Sequence, residues 1–491
     1  MYGKPNVVLI MADQLRADFL RGYGCVLDTM PQVDHLGTEG VRFRRAYTPT
    51  PVCGPARVSM MTGRFPKVTR VRENGAARHA VYETDLLGVL RSCGYSTWLV
   101  GKNDSHLRGS DFDGHVPYGH RGGGLPGERQ KDEAEFDAWL GELDRDGEPT
   151  PERRPTPFPV RVQLPHRIVE DAIRCLESVR EPFFLWLSFP EPHNPYQVPE
   201  PYFSLFPETS VPARIAGVEA LTAKGPKWRW FRRLLEDKRP GYDALWQRYR
   251  ATYCGMLRLI DDEIGRFLAR LQEMDLFKNT VFLFTSDHGD FCGDFGLQRK
   301  GVGLPECLVR VPLIVAGPGI VPQQGPRDEF VSLVDVLPTM CELIGSALPY
   351  GVQGTSLVPL LRGEPTRPGR LGSMYAEGGF GGDAYGEFEM PELHFPYAGT
   401  CFDELNSVTQ SGRLKMLRKD RWKLLYERGG ATALYDVEAD PGELHNLADR
   451  PELAAVRAKL LEELLRWAIE TEDDLPVVRY RPKRITGARA F

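Results

Sequence analysis

The chain has 491 residues, of which 42% are hydrophobic and 26% charged, and its formal net charge is −5. This length predicts about two to four domains, or one α/β domain that extends further. The small negative charge excludes a general attraction for nucleic acid, and no apolar run reaches the roughly eighteen residues that span a membrane. Nine scattered cysteines without a C-x-x-C pair predict free thiols in a reducing compartment, which we take to be the cytoplasm.

The first predicted strand is the apolar run 6–11, and Asp13 and Gln14 follow at its carboxyl end. Ligand sites of doubly wound sheets lie just beyond the carboxyl ends of strands. An oxygen pair in that place is suited to a hard cation. A helix cap formed by Asp13 explains the same residues equally well.

A cysteine at a helix start comes next. Prolines precede Cys53, Pro55 suits a first helical turn, and Gly63 is a natural helix end. The helix N-terminus, with Arg57 one turn further on, favours developing negative charge at Cys53. A buried structural cysteine is the competing interpretation.

A further predicted strand, 96–100, ends just before Lys102, Asp104 and His106. The repeated order of strand, polar cluster and helix predicts an α/β sheet. The following segment, 107–166, is rich in Gly, Pro and charge and is predicted to be a loop-rich insert. It could be a lid, a specificity element or a solvated excursion.

Two more strands lead into polar residues. An apolar strand precedes His193 in a proline-bracketed loop, and a second strand, 281–285, precedes Asp287 and His288. Carboxylate and imidazole are suitable ligands for a divalent cation. Lys300 ends the glycine-bearing loop that follows. By contrast, the acidic run 261–263 lies within an amphipathic helix and is predicted to be surface charge.

The alternation of elements changes near residue 370. We therefore predict an α/β domain over 1–370 and a smaller, mainly antiparallel α+β subdomain over 371–491. The basic tail at the end of the second unit could serve as an oligomer arm.

Several ordered blocks resemble type I sulfatases, the formylglycine-dependent family within the alkaline phosphatase superfamily. Cys53-x-Pro55-x-Arg57 resembles that family's formylglycine motif. The blocks "NVVLIMADQLRADFL", "GYSTWLVGK", "PEPHNPY", "FTSDHGD" and "LYDVEADPGELHNLAD" resemble its other conserved segments, in the family's order. The resemblance implies an alkaline-phosphatase-like fold with a large, mostly parallel sheet flanked by helices.

The resemblance also implies roles for individual residues. Cys53 would be oxidised by a formylglycine-generating enzyme to 3-oxoalanine (formylglycine), whose hydrate is the nucleophile. One divalent cation, Ca²⁺ in the first place and Mn²⁺ as the alternative, would be bound by residue 53 together with Asp13, Gln14, Asp287 and His288. Arg57 would hold the hydrate, Lys102 and Lys300 would contact the sulfate, and His193 would assist the leaving group.

Three positions depart from the common family pattern. Gln14 stands where Asp is common, and His288 stands where Asn is frequent. Asp104 stands two residues after Lys102, where the family's lysine motif, the segment around Lys102, commonly has His. The base near Lys102 is therefore either His106 or Asp104. The pair Gln14 and His288 resembles the branch that contains choline sulfatases and phosphonate monoester hydrolases.

These implications predict hydrolysis of a sulfate ester to inorganic sulfate and an alcohol, with a small-molecule or carbohydrate substrate. The alternatives are a phosphonate monoester or phosphodiester hydrolase with the same site, and an inactive sulfatase-like binding protein. Lys102 favours sulfate, because the phosphonate hydrolases of the resembled branch lack that lysine. The insert 107–166, the basic aromatic patch 227–233 and the segment near His394 are predicted to select the substrate. We expect no nucleic acid or membrane partner, and a homo-oligomer is an open alternative.

Overall fold

The protein is described from a computed structural model over residues 4–125, 130–143, 151–323, 325–364, 369–386, 389, 408–430 and 432–473. The basic tail and the segment near His394 lie outside the described residues. Eight cysteines lie within them, and all eight have free thiols. Among the helices described, none combines the length and the apolar character needed to cross a membrane.

A nine-stranded sheet forms the centre of the larger unit. Its strands are β1 Asn6–Asp13, β2 Gly40–Tyr47, β3 Ser96–Gly101, β4 Gly114–Gly119, β5 Gly122–Gly123, β6 Phe183–Pro192, β7 Thr280–Ser286, β8 Leu313–Ala316 and β9 Arg327–Ser332. Their spatial order is β5-β4-β3-β6-β1-β7-β8-β2-β9. The run from β4 to β7 is parallel throughout, whereas β8 is antiparallel to both of its neighbours. The predicted large, mostly parallel sheet is confirmed.

The described residues form fourteen α-helices, several of which cover both faces of this sheet. They are α1 Pro31–Thr38, α2 Cys53–Thr62, α3 Pro66–Thr69, α4 Leu86–Ser92, α5 Lys131–Leu143, α6 Leu164–Leu176, α7 Tyr202–Leu205, α8 Leu221–Lys224, α9 Pro226–Lys238, α10 Trp246–Glu273, α11 Glu306–Val309, α12 Val336–Leu343, α13 Val358–Leu361 and α14 Ala454–Glu470. On β1, Val8 and Ile10 join the core formed with α6 and α10, whereas Val7 and Leu9 join the core with α2, α4 and α12. The alternation follows from the two-residue period of a strand, and burial on both faces explains its continuous apolar sequence.

A smaller antiparallel sheet forms the second unit. Its strands are β10 Ser373–Gly381, β11 Gly412–Lys419, β12 Trp422–Glu427 and β13 Thr432–Asp436, in that order. Helix α14 packs on it through an apolar core that includes Trp467 and Tyr375. The ring of Phe65, from the larger unit, lies 5.3 Å from Tyr375 and 6.0 Å from Trp467. The two units therefore share a hydrophobic contact.

The segment 107–166 contains more regular structure than its composition indicates. It supplies β4, β5 and α5, and β4 pairs in parallel with β3, so this segment extends the central sheet. Glycines and Pro117 in β4 and β5 give the sequence a loop-like composition. Pairing with β3 overrides that local preference, as sheet context commonly does.

The acidic run in α10 is only partly a surface feature, and the prediction for it was wrong. Asp261 is fully buried, and its two oxygens accept hydrogen bonds of 2.9 Å each from the backbone N–H groups of Gln32 and Val33. These N–H groups belong to the first turn of α1 and have no partner inside that helix. Asp261 thus caps α1 from a distant part of the chain, a contact that helical periodicity does not reveal.

Replacement of Asp261 by Ala leaves those two N–H groups without an acceptor. We expect the free energy of unfolding to fall by roughly 1–3 kcal/mol, measured as a lower urea midpoint. The matched control is Glu273→Ala at the end of the same helix, where the side chain is 65% exposed and pairs with Arg270. This control should keep the wild-type midpoint, and an equal loss in both variants would contradict the capping role.

Candidate active site

The site lies where the central strands end. β1 and β7 are parallel, with Ala12 opposite Ser286, so Asp13 emerges beside Asp287 and His288. The start of α2 places Cys53 against them. The potential ligand atoms of Asp13, Cys53, Asp287 and His288 all lie within 4.8 Å of one another, and all four residues are buried.

His288 presents its Nε2 atom to this cluster. Its Nδ1 lies 2.8 Å from the carbonyl oxygen of Gly289, which places the ring hydrogen there and leaves Nε2 as an acceptor. Nε2 is 3.1 Å from Cys53 Sγ and 3.6 Å from Asp13 Oδ1. The imidazole is therefore oriented as in a metal site.

Gln14 turns its amide oxygen towards the same region. Its Nε2 donates to Asp290 Oδ2 at 2.6 Å and to the Tyr196 hydroxyl at 3.1 Å. Because the amide nitrogen is engaged, Oε1 faces Lys300 Nζ at 3.3 Å. Two carboxylates, an imidazole and an amide oxygen form a donor set that fits a divalent cation.

Cys53 is the first residue of α2, and Gly63, with φ 64°, ends that helix as predicted. The side chain of Asn74 accepts a 2.9 Å hydrogen bond from the Gly54 N–H and so fixes the start of the helix. Burial, assisted by the charge of Asp13, raises the pKa of the Cys53 thiol to about 12. The site therefore disfavours a thiolate at this position.

Arg57 is fully buried and connects the cluster to the sheet. Its Nε donates to Asp287 Oδ2 at 2.8 Å, and one terminal nitrogen donates to Ser188 Oγ at 3.0 Å and to the Lys102 carbonyl at 2.9 Å. The other terminal nitrogen, NH2, lies 3.8 Å from Asp13 Oδ2 and has no hydrogen-bond partner among the described residues. A guanidinium donor is thus directed towards the cluster.

Two lysines add positive charge. Lys102 Nζ contacts Asp13 Oδ2 and lies 2.9 Å from Asp104 Oδ2. Lys300 Nζ lies 3.3 Å from His193 Nε2, as well as facing Gln14. Together with Arg57, these ammonium groups can bind an anion next to residue 53.

The two candidate bases near Lys102 have different surroundings. Asp104 pairs with Lys102, and although burial opposes ionisation, the charges of Lys102 and Arg57 lower its pKa to about 2. His106 instead contacts Asp85 Oδ2 at 2.9 Å, and its ring lies 4.5 Å from the Tyr82 ring at an angle of 59°. Asp85 is the N-cap of α4, so the contacts found for His106 belong to a helix cap.

Three residues of the site escaped the sequence analysis. His120 follows β4, and its ring stacks on His193 with centroids 4.0 Å apart and planes 24° apart. Asp290 accepts hydrogen bonds from Gln14, Tyr196 and Tyr249, and Asn74 holds the start of α2. The proximity of Asp290 to His288 in sequence was a usable signal, whereas nothing in the spacing connects His120 or Asn74 to the strand ends.

Comparison with known proteins agrees with this geometry. The sulfatase family model matches residues 5–346. An arylsulfatase of Clostridium perfringens is 29% identical over 94% of both chains, and a choline-sulfatase of Rhizobium meliloti is 29% identical over 91% of this chain and 83% of its own. The crystal structure of the phosphonate monoester hydrolase of Agrobacterium radiobacter superposes with a TM-score of 0.77 at 27% identity, covering 95% of this chain and 96% of that one. The chain therefore belongs to the sulfatase family, a family of sulfuric ester hydrolases within the alkaline phosphatase superfamily.

Proposed function

We propose that this protein hydrolyses the sulfate ester of an organic alcohol with a formylglycine formed from Cys53. Water enters, the bond between sulfur and the ester oxygen breaks, and the alcohol and inorganic sulfate leave. The observation that carries the proposal is the contact of Cys53 with Asp13 and His288, beside Arg57 and two lysines. A nucleophile position, cation ligands and anion-binding groups thus meet in one buried place.

The donor set supports one divalent cation. Asp13, Gln14, Asp287, His288 and residue 53 would hold it, with Ca²⁺ as the first candidate and Mn²⁺ as the alternative. Such a cation neutralises negative charge on the ester and lowers the pKa of a hydroxyl group beside it. Two fully buried carboxylates so close together require compensating positive charge, which the cation would supply together with Arg57 and Lys102.

Cys53 Sγ occupies the position that we assign to an oxygen of the formylglycine hydrate. The hydrate supplies two hydroxyl groups on one carbon, one to attack sulfur and one whose deprotonation expels sulfate as the aldehyde re-forms. A formylglycine-generating enzyme is accordingly the proposed maturation partner.

The surrounding side chains would each make a defined contact. The NH2 group of Arg57 would hold the hydrate, and Lys102 and Lys300 would bind the non-bridging oxygens of the sulfate. His193 Nδ1 lies 3.2 Å from the Asn194 carbonyl, and its Nε2 lies beside Lys300. This orientation directs the imidazole edge that carries Nε2 towards the leaving oxygen. Of the two candidate bases, Asp104 lies beside the proposed sulfate site through its contact with Lys102, whereas His106 contacts Asp85 at a helix cap.

A cavity of about 330 Å³ lies between segments that flank Cys53 and Lys300 in the chain, and we take it as the candidate pocket for an organic leaving group with a ring. Its wall includes 50–52, directly before Cys53, and 301–305, directly after Lys300, together with Trp228 and Tyr385. Aromatic rings with lysine and amide groups suit an aryl or carbohydrate sulfate. Trp228 belongs to the basic aromatic patch that the sequence associates with substrate choice.

Hydrolysis of a phosphonate monoester or phosphodiester is the second candidate. The combination of Gln14 with His288, and the superposition on a phosphonate monoester hydrolase, favour it. Lys102 favours sulfate, because the phosphonate hydrolases of the resembled branch lack that lysine. An inactive binding protein is disfavoured by the assembled cluster.

The cytoplasm remains the proposed location on the basis of the odd, scattered cysteines.

The direct test compares two substrates on protein whose formylglycine content has been verified by mass spectrometry. We expect a larger kcat/KM for an aryl sulfate than for an aryl phosphonate monoester. Cys53→Ala should lower kcat roughly 10³-fold or more, because the nucleophile is lost. Cys93→Ala, a half-buried thiol elsewhere, is the control and should retain activity. A preference for the phosphonate would overturn the sulfatase proposal, and activity in Cys53→Ala would overturn both candidates.

Metal binding can be tested without turnover. Asp287→Asn should weaken Mn²⁺ binding by more than about 100-fold, since loss of groups that merely orient ligands already costs 10–100-fold. Titration calorimetry on chelator-treated protein measures the affinity. The matched control is Asp328→Asn, an exposed carboxylate paired with Arg44, which should bind Mn²⁺ as the wild type does. Unchanged affinity in Asp287→Asn would exclude the proposed cation site.

A further inference from the structure

His120 reaches the proposed active site from the segment 107–166. Its Nε2 lies 3.9 Å from Asp13 Oδ2, and its ring stacks on His193. The side chain is 24% exposed, whereas Asp13 and His193 are buried. His120 therefore lies at the outer side of the cluster, where an incoming ester would meet it.

The ring of His120 has a nitrogen atom that no described residue contacts by a hydrogen bond. A neutral imidazole has one N–H donor and one acceptor nitrogen. Nδ1 of this ring is buried and has no hydrogen-bond partner among the described residues. Unpaired buried polar atoms are costly and uncommon, so this one is a candidate for a ligand contact.

Neither Asp104 nor His106, the two residues close to Lys102 in the sequence, supplies an imidazole to the anion-binding region. Asp104 occupies the place where the lysine motif commonly has a histidine, and His106 contacts Asp85 at a helix cap. His120, by contrast, lies beside Asp13, which Lys102 contacts, and stacks on His193, which Lys300 contacts. An imidazole group is thus supplied to the anion-binding region from β4 rather than from the lysine motif.

We propose that His120 is a substrate-binding residue that forms a hydrogen bond with an oxygen of the bound sulfate ester. This inference rests on the proposed function and adds a contact to it. The two stacked imidazoles of His120 and His193 then form one wall of the site, with the two lysines beside them. It also gives the segment 107–166 a part in recognition, because β4 positions the turn that carries His120.

The experiment compares His120→Ala and His120→Asn with the wild type, all metal-loaded and formylglycine-verified. We expect His120→Ala to weaken the binding of inorganic sulfate, measured by calorimetry, and to raise KM for an aryl sulfate, each roughly tenfold. His120→Asn keeps an N–H donor and should recover part of the loss. His115→Asn, in strand β4 just before His120 and stacked on Phe112, is the matched control and should bind sulfate as the wild type does.

Two outcomes would overturn the inference. Sulfate affinity within twofold of the wild type in His120→Ala would exclude the contact. A loss of sulfate affinity in His120→Ala that is accompanied by a loss of bound metal or by a lower melting temperature would assign the residue a structural role. The calorimetric comparison of sulfate affinities is independent of turnover. Wild-type protein that binds sulfate but does not hydrolyse the ester would refute the proposed function, while the affinities of the variants would still decide the role of His120.

Discussion

The pairing of β1 with β7 is the constraint on which the site depends. These strands lie side by side in the middle of the sheet, and their parallel register brings Ala12 opposite Ser286. Because a strand fixes the direction of the residue that follows it, Asp13 and the pair Asp287 and His288 must emerge together. A shift of one residue in this register would turn every side chain of the strand to the other face. The apolar residues of β1, buried on both faces, secure the register.

The electrostatics of the site follow from that arrangement. Asp13 and Asp287 are both fully buried, and isolated buried charges are unfavourable unless other groups compensate them. Arg57 supplies compensating positive charge, because its Nε donates a hydrogen bond to Asp287 and its NH2 lies near Asp13. Lys102 contacts Asp13 and adds a second positive charge. The same positive groups are suitably placed for an anionic ester. In the proposed mechanism, the side chains that neutralise the buried carboxylates would also attract the substrate.

The sequence predicted the parts of the site that follow from local rules. Polar residues after buried strands identified Asp13, Asp287 and His288, and proline and glycine punctuation identified the helix at Cys53. These signals depend on residues adjacent in the chain. They leave open whether Asp13 is a cap or a ligand. Asp13 lies in one cluster with Cys53, Asp287 and His288, and the proposed cation site is built on that arrangement.

Contacts between distant segments were beyond such rules. His120 meets His193 because β4 joins the sheet at β3, and β4 has the glycine and proline content of a loop. Asp261 caps α1 across more than two hundred residues of sequence. The engagement of His106 at a helix cap likewise depends on packing rather than on spacing. The larger architecture was predictable because alternating strands and helices specify a parallel sheet.

The central claim is that β1, β7 and α2 assemble one cation site around residue 53. A crystal structure of the matured protein with Mn²⁺, with anomalous diffraction recorded at the manganese edge, tests it most directly. The account predicts a single strong anomalous peak in contact with Asp13, Gln14, Asp287 and His288, with an oxygen of residue 53 completing the ligands. An anomalous peak at another position would contradict the account. So would the absence of a peak at this position, with Asp13 and Asp287 contacted only by Arg57 and Lys102.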